Sequence, residues 1–461
     1  MKMNVAILGT APLPVETHQV TTGPGIRTWQ FAWTAAEAGH RVLLLCLRNE
    51  GAYIDPPENS ECQNELPGGI TCQNLHYDVF TDGSTLRKRV KDFGAHAIAG
   101  VSSILPVSEA VKLLDSAPVW ADFFGDPLTE IQAKAGVYPV PESDSELFHV
   151  WKMYRDILLR ADKFSVVSAP QRFALIGQLA LCGRLNRHTA EYEFISVIPC
   201  GIDPGQKNSL APRGGRPLRG KDFNADDFIV FWAGSYNTWT DVRTLVRGLE
   251  IAMARNPRIK YLTIGGGSKG YNEKIFSDFL ATVEQSQFRE RFVVKGWIPN
   301  DLVALYFAEA DCGISIDRPV YEAETGSRNR ILHFLAHGLR VASTGVCEFV
   351  RDLIGRGFVE EFTVGDPESL ADSLVRLASE DRGRGKRIVD EARSYIFETY
   401  SFKVTMSGFL EWLDSGASRA PDNRIREAGV GALNEIERVL HPQKIQPQPH
   451  SIKTILKHLI R

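Results

Sequence analysis

Tyr321 to Thr344, YEAETGSRNRILHFLAHGLRVAST, holds the densest set of residues able to do chemistry in this chain. Carboxylates (Glu322, Glu324) precede a polar turn carrying Arg328 and Arg330, and an apolar helical run follows, ending at Gly338. A loop that enters a helix presents unpaired backbone N–H groups and the positive end of the helix dipole. Two arginines at such a point suit a phosphate, and the plain alternative is a surface helix with solvated arginines. A second group is Asp122 and Asp126, at the end of APVWADFFGDP. The pair could orient sugar hydroxyls or act as a base, or Asp126, before Pro127, could simply cap the next helix. A third is Gly23, Gly25 and Arg27, in a loop where glycine lets backbone N–H groups come close to a ligand.

The elements that would position these groups alternate. NVAIL reads as a buried strand, followed by the loop PLPVETHQVTTGPGIR, the helical pattern TWQFAWTAAEAG and the strand RVLLLCL. This strand, loop, helix, strand order is that of a doubly wound α/β layer, which binds ligands at the carboxyl ends of its strands. The loop lacks the G-x-G-x-x-G dinucleotide fingerprint, which disfavours a dehydrogenase. Residues 205–222, rich in Gly, Pro, Arg and Lys, read as a break. A second alternating series runs from FIVFWAG to KRIVDEARSYIFETYS, with Gly265 to Gly267 ending one strand. The expected organisation is therefore two Rossmann-like parallel-sheet domains facing a cleft: 1–205, a linker at 206–222, then 223–395. A closing helix at 396–415 is expected to pack back towards the first domain, and 416–461 is a tail. Its end, SIKTILKHLIR (451–461), has the pattern of a short basic amphipathic helix able to touch an anionic membrane or pack on the protein.

Composition sets the class. The 461 residues are too many for one ordinary core, and 43% hydrophobic with 24% charged residues is a globular balance. A net charge of −3 argues against bulk nucleic-acid binding. The seven scattered cysteines suit a reducing cytoplasm and lack the close pairs of a zinc site. No apolar run approaches the roughly 18 residues of a membrane span, so a cytoplasmic protein is expected.

Taken in order, several segments resemble those of GT-B glycosyltransferases, nearest to the retaining family 4 group. ISVIPCGIDP is similar to that family's "VIPNGVD", YLTIGGGSKGYNEKI to its "L.IVGDGP", and VVKGWIPNDLVALYFAEADCGISI to its "F.G.V….L…Y..AD..V.PS". FWAGSYNTWTDVRTLVRGLE and SRNRILHFLAHGLRVAST resemble two more of its segments, and the match spans roughly residues 4 to 410. The resemblance implies metal-independent transfer of a sugar from a nucleotide sugar (UDP-, GDP- or another NDP-sugar), with retention and no tightly bound cofactor. The acceptor would be a glycan, glycolipid or small molecule, as in cell-surface polysaccharide biosynthesis.

The candidate catalytic residues are Glu324 and Arg328, carried over by position, together with Asp126 from the acidic pair. The donor would meet Gly23, Gly25, Arg27, Ser235, Asn237, Trp239, Gly296, Trp297, Ile298, Arg330 and His333. The turn at Gly296 to Ile298 would hold the base and Glu324 the sugar hydroxyls. Three departures stand out. The family's diphosphate-binding Arg and Lys fall at Ser235 and Thr240, and its ribose-binding Glu falls at His333. Arg328, Arg330 and Arg27 would then supply the missing charge. A non-catalytic homologue that binds a sugar nucleotide or a partner, a sugar-nucleotide epimerase and a phosphorylase remain as alternatives, although no convincing pyridoxal phosphate lysine is present.

Overall fold

Residues 2–205, 218–268 and 271–422 are described by the computed structural model. The expected linker at 206–222 therefore lies outside the described residues except for 218–222, and the basic end at 451–461 lies wholly outside them.

Eight strands form the first sheet: β1 (Asn4–Ala11), β2 (Arg41–Arg48), β3 (Glu61–Leu66), β4 (Ile70–Leu75), β5 (Ala97–Gly100), β6 (Val119–Phe123), β7 (Lys163–Val166) and β8 (Ile195–Val197). Their order is β3-β4-β2-β1-β5-β6-β7-β8, and only the β3–β4 pair is antiparallel. The second sheet has β9 (Phe228–Ala233), β10 (Ile259–Ile264), β11 (Phe292–Val294), β12 (Cys312–Ser315), β13 (Arg340–Ser343) and β14 (Val359–Glu361). It runs β11-β10-β9-β12-β13-β14, all parallel. Helices cover both faces of a parallel sheet, so its strands read as unbroken apolar runs. VAILGTA in β1 and FIVFW in β9 are buried throughout.

In both sheets the chain reverses direction beside the first strand, between β1 and β5 and between β9 and β12. Such a switch point leaves a crevice at the carboxyl ends of the strands. The two crevices share one cavity. The loop after β1 spans it: Asn300 N donates to the Gln19 carbonyl at 2.8 Å and Asn300 Nδ2 to the Pro14 carbonyl at 2.6 Å.

The chain end returns across the gap. Ala392, Ile396 and Phe397 of the Arg382–Thr399 helix sit in the core of the second sheet. The backbone then pairs at Ile202 and Ser401, after which the Ser407–Asp414 helix sinks Phe409 and Trp412 into the first core. Phe409 lies 4.9 Å from Phe31 and 5.2 Å from Trp120, between ring centroids. Asp422 closes the return with a buried ion pair to Arg184. No helix among the described residues is long and apolar enough to cross a membrane.

Candidate active site

The cavity between the sheets has a volume of about 660 Å³. Of the residues expected at a site, Gly23, Ser235, Asn237, Trp239, Trp297, Ile298, Arg328, Arg330 and His333 line it. The tertiary structure gathers them from the start of the Gly23–Glu37 helix on the first sheet's side and, on the second sheet's side, from the turns after β9 and β11 and the Asn329–Ala336 helix. Gly23 opens the Gly23–Glu37 helix, whose N-cap Thr22 accepts from Gly25 N at 3.2 Å. Trp297 Nε1 donates to the Gly267 carbonyl at 3.3 Å, so this indole is tied to the turn after β10.

Five expected residues lie elsewhere, each for a clear reason. Gly25 is a packing glycine: a Cβ there would stand 2.1 Å from the Pro12 carbonyl oxygen. Arg27 is fully buried and spent on the protein. It donates to both oxygens of Asp122 at 3.0 and 2.7 Å, to Gln30 Oε1 at 3.0 Å and to the Pro199 carbonyl at 3.1 Å. It is thus unavailable to a donor phosphate, and Asp122 is equally engaged. Asp126 accepts from Leu128 N at 2.9 Å and Thr129 N at 3.2 Å, which makes it the cap of the Pro127–Val137 helix. Gly296 adopts φ 68° and its carbonyl accepts from Gly265 N at 2.7 Å, joining two turns. Glu324 is exposed on the one-turn helix Tyr321–Thr325, whereas Glu322 on the other side of that turn is buried and faces the cavity.

Arg328 and Arg330 differ sharply in what they have left to offer. Arg328 is clamped between two buried carboxylates, Nε to Asp317 at 2.9 Å, Nη2 and Nη1 to Glu322 at 3.0 and 3.2 Å. Burial works against its charge, but Asp317 and Glu322 outweigh that and hold it protonated. The expectation of a free phosphate ligand at Arg328 is corrected accordingly: it is the hub of an ion-pair network. Arg330 stacks on Trp232 with its guanidinium carbon 3.5 Å from the ring centroid. Its Nη2 donates to the Ser235 carbonyl at 2.7 Å, and its buried Nη1 has no partner. Burial lowers its pKa to about 10, so it stays charged at neutral pH. One turn along the Asn329–Ala336 helix, the buried His333 Nε2 is also without a partner. Burial, then His337, holds the His333 pKa at about 3, which makes it a neutral imidazole.

These two unpartnered groups lie inside residues 227–380, which match the family described as glycosyl transferases group 1. The chain carries a glycosyltransferase domain on a GT-B fold. No curated protein sequence matches the chain. Solved structures match at fold level. Sucrose-phosphate synthase from Thermosynechococcus elongatus is 17% identical with a TM-score of 0.67, over 90% of this chain and 100% of its own. An alpha,alpha-trehalose-phosphate synthase (UDP-forming) from Burkholderia vietnamiensis is 11% identical with a TM-score of 0.65, over 90% and 99%. Anabaena HepE in complex with UDP and glucose is 14% identical with a TM-score of 0.62, over 90% and 100%.

In this glycosyltransferase domain the loop after β9 lacks its expected cations, since Ser235 and Thr240 stand at those positions. Arg330 reaches the same loop from the opposite wall, at the Ser235 carbonyl. The cavity also contains a carboxyl group that sequence reasoning passed over. Glu130, one turn into the helix capped by Asp126, lines it without a hydrogen-bond partner. Burial, then the charges of Glu322 and Asp126, raises its pKa to about 8. Burial likewise raises Glu322 to about 7 despite Arg328. The only signal for Glu130 in the sequence was its place in the first turn after the Asp126-Pro127 helix start.

The shift at Glu130 sets a pH dependence of stability. An unfolded glutamate loses its proton near pH 4.5, whereas the folded one keeps it to about pH 8. Between those values the native state binds more protons, so stability falls as pH rises. Glu130→Gln keeps the shape of the protonated side chain and removes that loss. The expected outcome is a gain of about 1–2 kcal/mol near pH 8, reduced from the full shift because the carboxyl borders the cavity. The gain should shrink to nothing below about pH 5 in thermal melts run across the range.

Proposed function

We propose that this glycosyltransferase takes a sugar from a UDP-sugar and passes it to a hydroxyl-bearing acceptor with retention at the anomeric carbon. The observation that carries the donor site is the charged, stacked Arg330 with its unpartnered Nη1, beside the unpartnered Nε2 of His333. A buried donor that lacks a partner is costly, and a ligand oxygen relieves the cost. The diphosphate would lie against Arg330 and the N–H groups that open the Asn329–Ala336 helix, with His333 on the ribose and the Trp297–Ile298 turn on the base. UDP is favoured because two of the similar proteins named above, the Burkholderia synthase and Anabaena HepE, carry UDP in their descriptions.

When the bond from the sugar to the diphosphate breaks, negative charge grows on the leaving oxygen and positive charge on the ring. Arg330 and the helix start would stabilise the first, and Asp317 and Glu322, bound to Arg328, line the same cavity on the side open to the ring. The acceptor oxygen would attack from the face that the diphosphate leaves, its proton passing to the departing phosphate oxygen, so that no protein nucleophile is required.

We assign the domains as 1–205 and 223–395; the closing segment expected as one helix at 396–415 is instead the end of the Arg382–Thr399 helix followed by two short helices, Phe402–Thr405 and Ser407–Asp414, whose apolar side chains in the first core support its closing against the first domain. The seven cysteines, all unpaired, favour a reducing cytoplasm. The basic apolar end at 451–461 favours contact with an anionic membrane face.

A thermal-shift series with UDP, GDP, ADP, CMP and dTDP tests the donor site. UDP should give the largest rise, and no rise with any nucleotide would sink the proposal. Stabilisation by UDP without UDP release from any UDP-sugar would instead mark a binding protein.

A further inference from the structure

We propose that the acceptor is an unphosphorylated sugar or polyol, seated in the half of the cavity built by the first sheet, where Glu130 takes one of its hydroxyls. The inference rests on the glycosyltransferase reading above and concerns the half of the site opposite the donor.

The charges lining the two halves are of opposite kinds. From the second sheet come both arginines of the cavity, Arg328 and Arg330. From the first sheet and the segment after it come Asp122, Glu130 and Asp203, and no arginine, lysine or histidine. The cations nearby are spent. Arg27 is bound to Asp122 behind the wall, and Lys134, one turn beyond Glu130, pairs with Glu146 at 2.7 Å. A phosphate placed in this half would meet carboxyl groups, and the one cation whose charge reaches Glu130, Arg328, is already held by Asp317 and Glu322, so the added negative charge would go uncompensated.

A neutral hydroxylated molecule meets the opposite situation. Thr21 and Asn49 line this half, and Thr21 Oγ1 and Asn49 Oδ1 are buried without a partner among the described residues. Among the described residues the Glu130 carboxyl group has no hydrogen-bond partner, while Asp203 is held by Trp29 Nε1 at 3.3 Å and Gly205 N at 2.8 Å. A hydroxyl both donates and accepts, so it can serve the amide oxygen, the threonine hydroxyl and the carboxyl group. The proton retained by Glu130 lets that group donate as well as accept, which matches a hydroxyl and not an anion.

The test uses the full chain with UDP-glucose, UDP-galactose and UDP-N-acetylglucosamine. Acceptors are matched pairs, glucose with glucose 6-phosphate and fructose with fructose 6-phosphate, extended by a panel of neutral glycosides, disaccharides and polyols. UDP release above hydrolysis and the product mass are read together. The expected result is turnover of a neutral member at least tenfold faster than of its phosphate. Glu130→Ala should raise KM for that acceptor more than tenfold with a smaller change in kcat, and Glu130→Gln, which keeps one donor and one acceptor at the same place, should restore most of the loss. Equal or faster turnover of a phosphorylated member overturns the proposal, and so does a donor that is bound and hydrolysed while no neutral acceptor in the panel is used. Failure of every UDP-sugar to bind is a separate result, which removes the donor reading and this inference with it.

Discussion

A chain carrying Arg328→Ala is expected to lose about 3–5 kcal/mol of stability, the usual consequence of removing one partner from a buried ion pair. Asp317 and Glu322 are 2% and 4% exposed, so neither could recover its lost hydrogen bonds from bulk water. The melting temperature should fall by about 10 °C in differential scanning calorimetry, given a domain of this size. Adding Glu322→Gln to Arg328→Ala should restore part of the loss, because the neutral amide no longer needs a counter-charge. A melt unchanged in the single variant would show that Arg328 is not the structural hub its contacts describe.

Arg330→Ala is expected to act on binding. Loss of a charged hydrogen bond to a phosphate costs about 1.5–3 kcal/mol, roughly a 10- to 150-fold weaker UDP dissociation constant in titration calorimetry. Arg330→Lys keeps the charge but loses the planar stack on Trp232 and the fork that reaches Ser235, so it should recover only part of the affinity. The melt of Arg330→Ala without nucleotide should stay close to that of the parent chain, since the guanidinium pairs with no carboxylate and its Nη1 is unsatisfied. UDP affinity equal to that of the parent chain would place the diphosphate elsewhere. The two arginines stand two residues apart, and the experiments separate them by observable: stability for one, affinity for the other.

Much of the architecture was legible because its causes are local. Unbroken apolar strands separated by amphipathic helices specify a doubly wound layer from the period of hydrophobicity alone. Thr22 before Gly23-Pro24 and Asp126 before Pro127 mark helix starts through capping and fixed proline geometry, and both are helix starts. The stretch Tyr321–Thr344 was likewise legible as part of a site, since a cationic turn before an apolar helix has an electrostatic purpose wherever it is placed.

The roles within that stretch were not legible. Glu322 and Glu324 look alike in sequence, yet two residues along a helix turn a side chain by about 200°. Only packing against the first sheet's helices decides which one faces inward. Arg27 follows a glycine-rich loop just as a phosphate ligand would, but its carboxylate partner, Asp122, lies 95 residues away. Glu130 drew no attention because its burial, and the charge of Glu322 that reaches it from the second sheet, arise only when the two sheets come together.

The sequence by itself therefore determined the two α/β layers, the helix starts and the location of the charged turn, because backbone periodicity, capping and dipole effects act over a few residues. Which arginine is spent on the fold and which is free for a ligand, and which carboxyl group faces the acceptor, was decided by the tertiary structure. Those properties depend on burial and on partners brought from distant parts of the chain, and a charge in a cavity is defined by what stands opposite it.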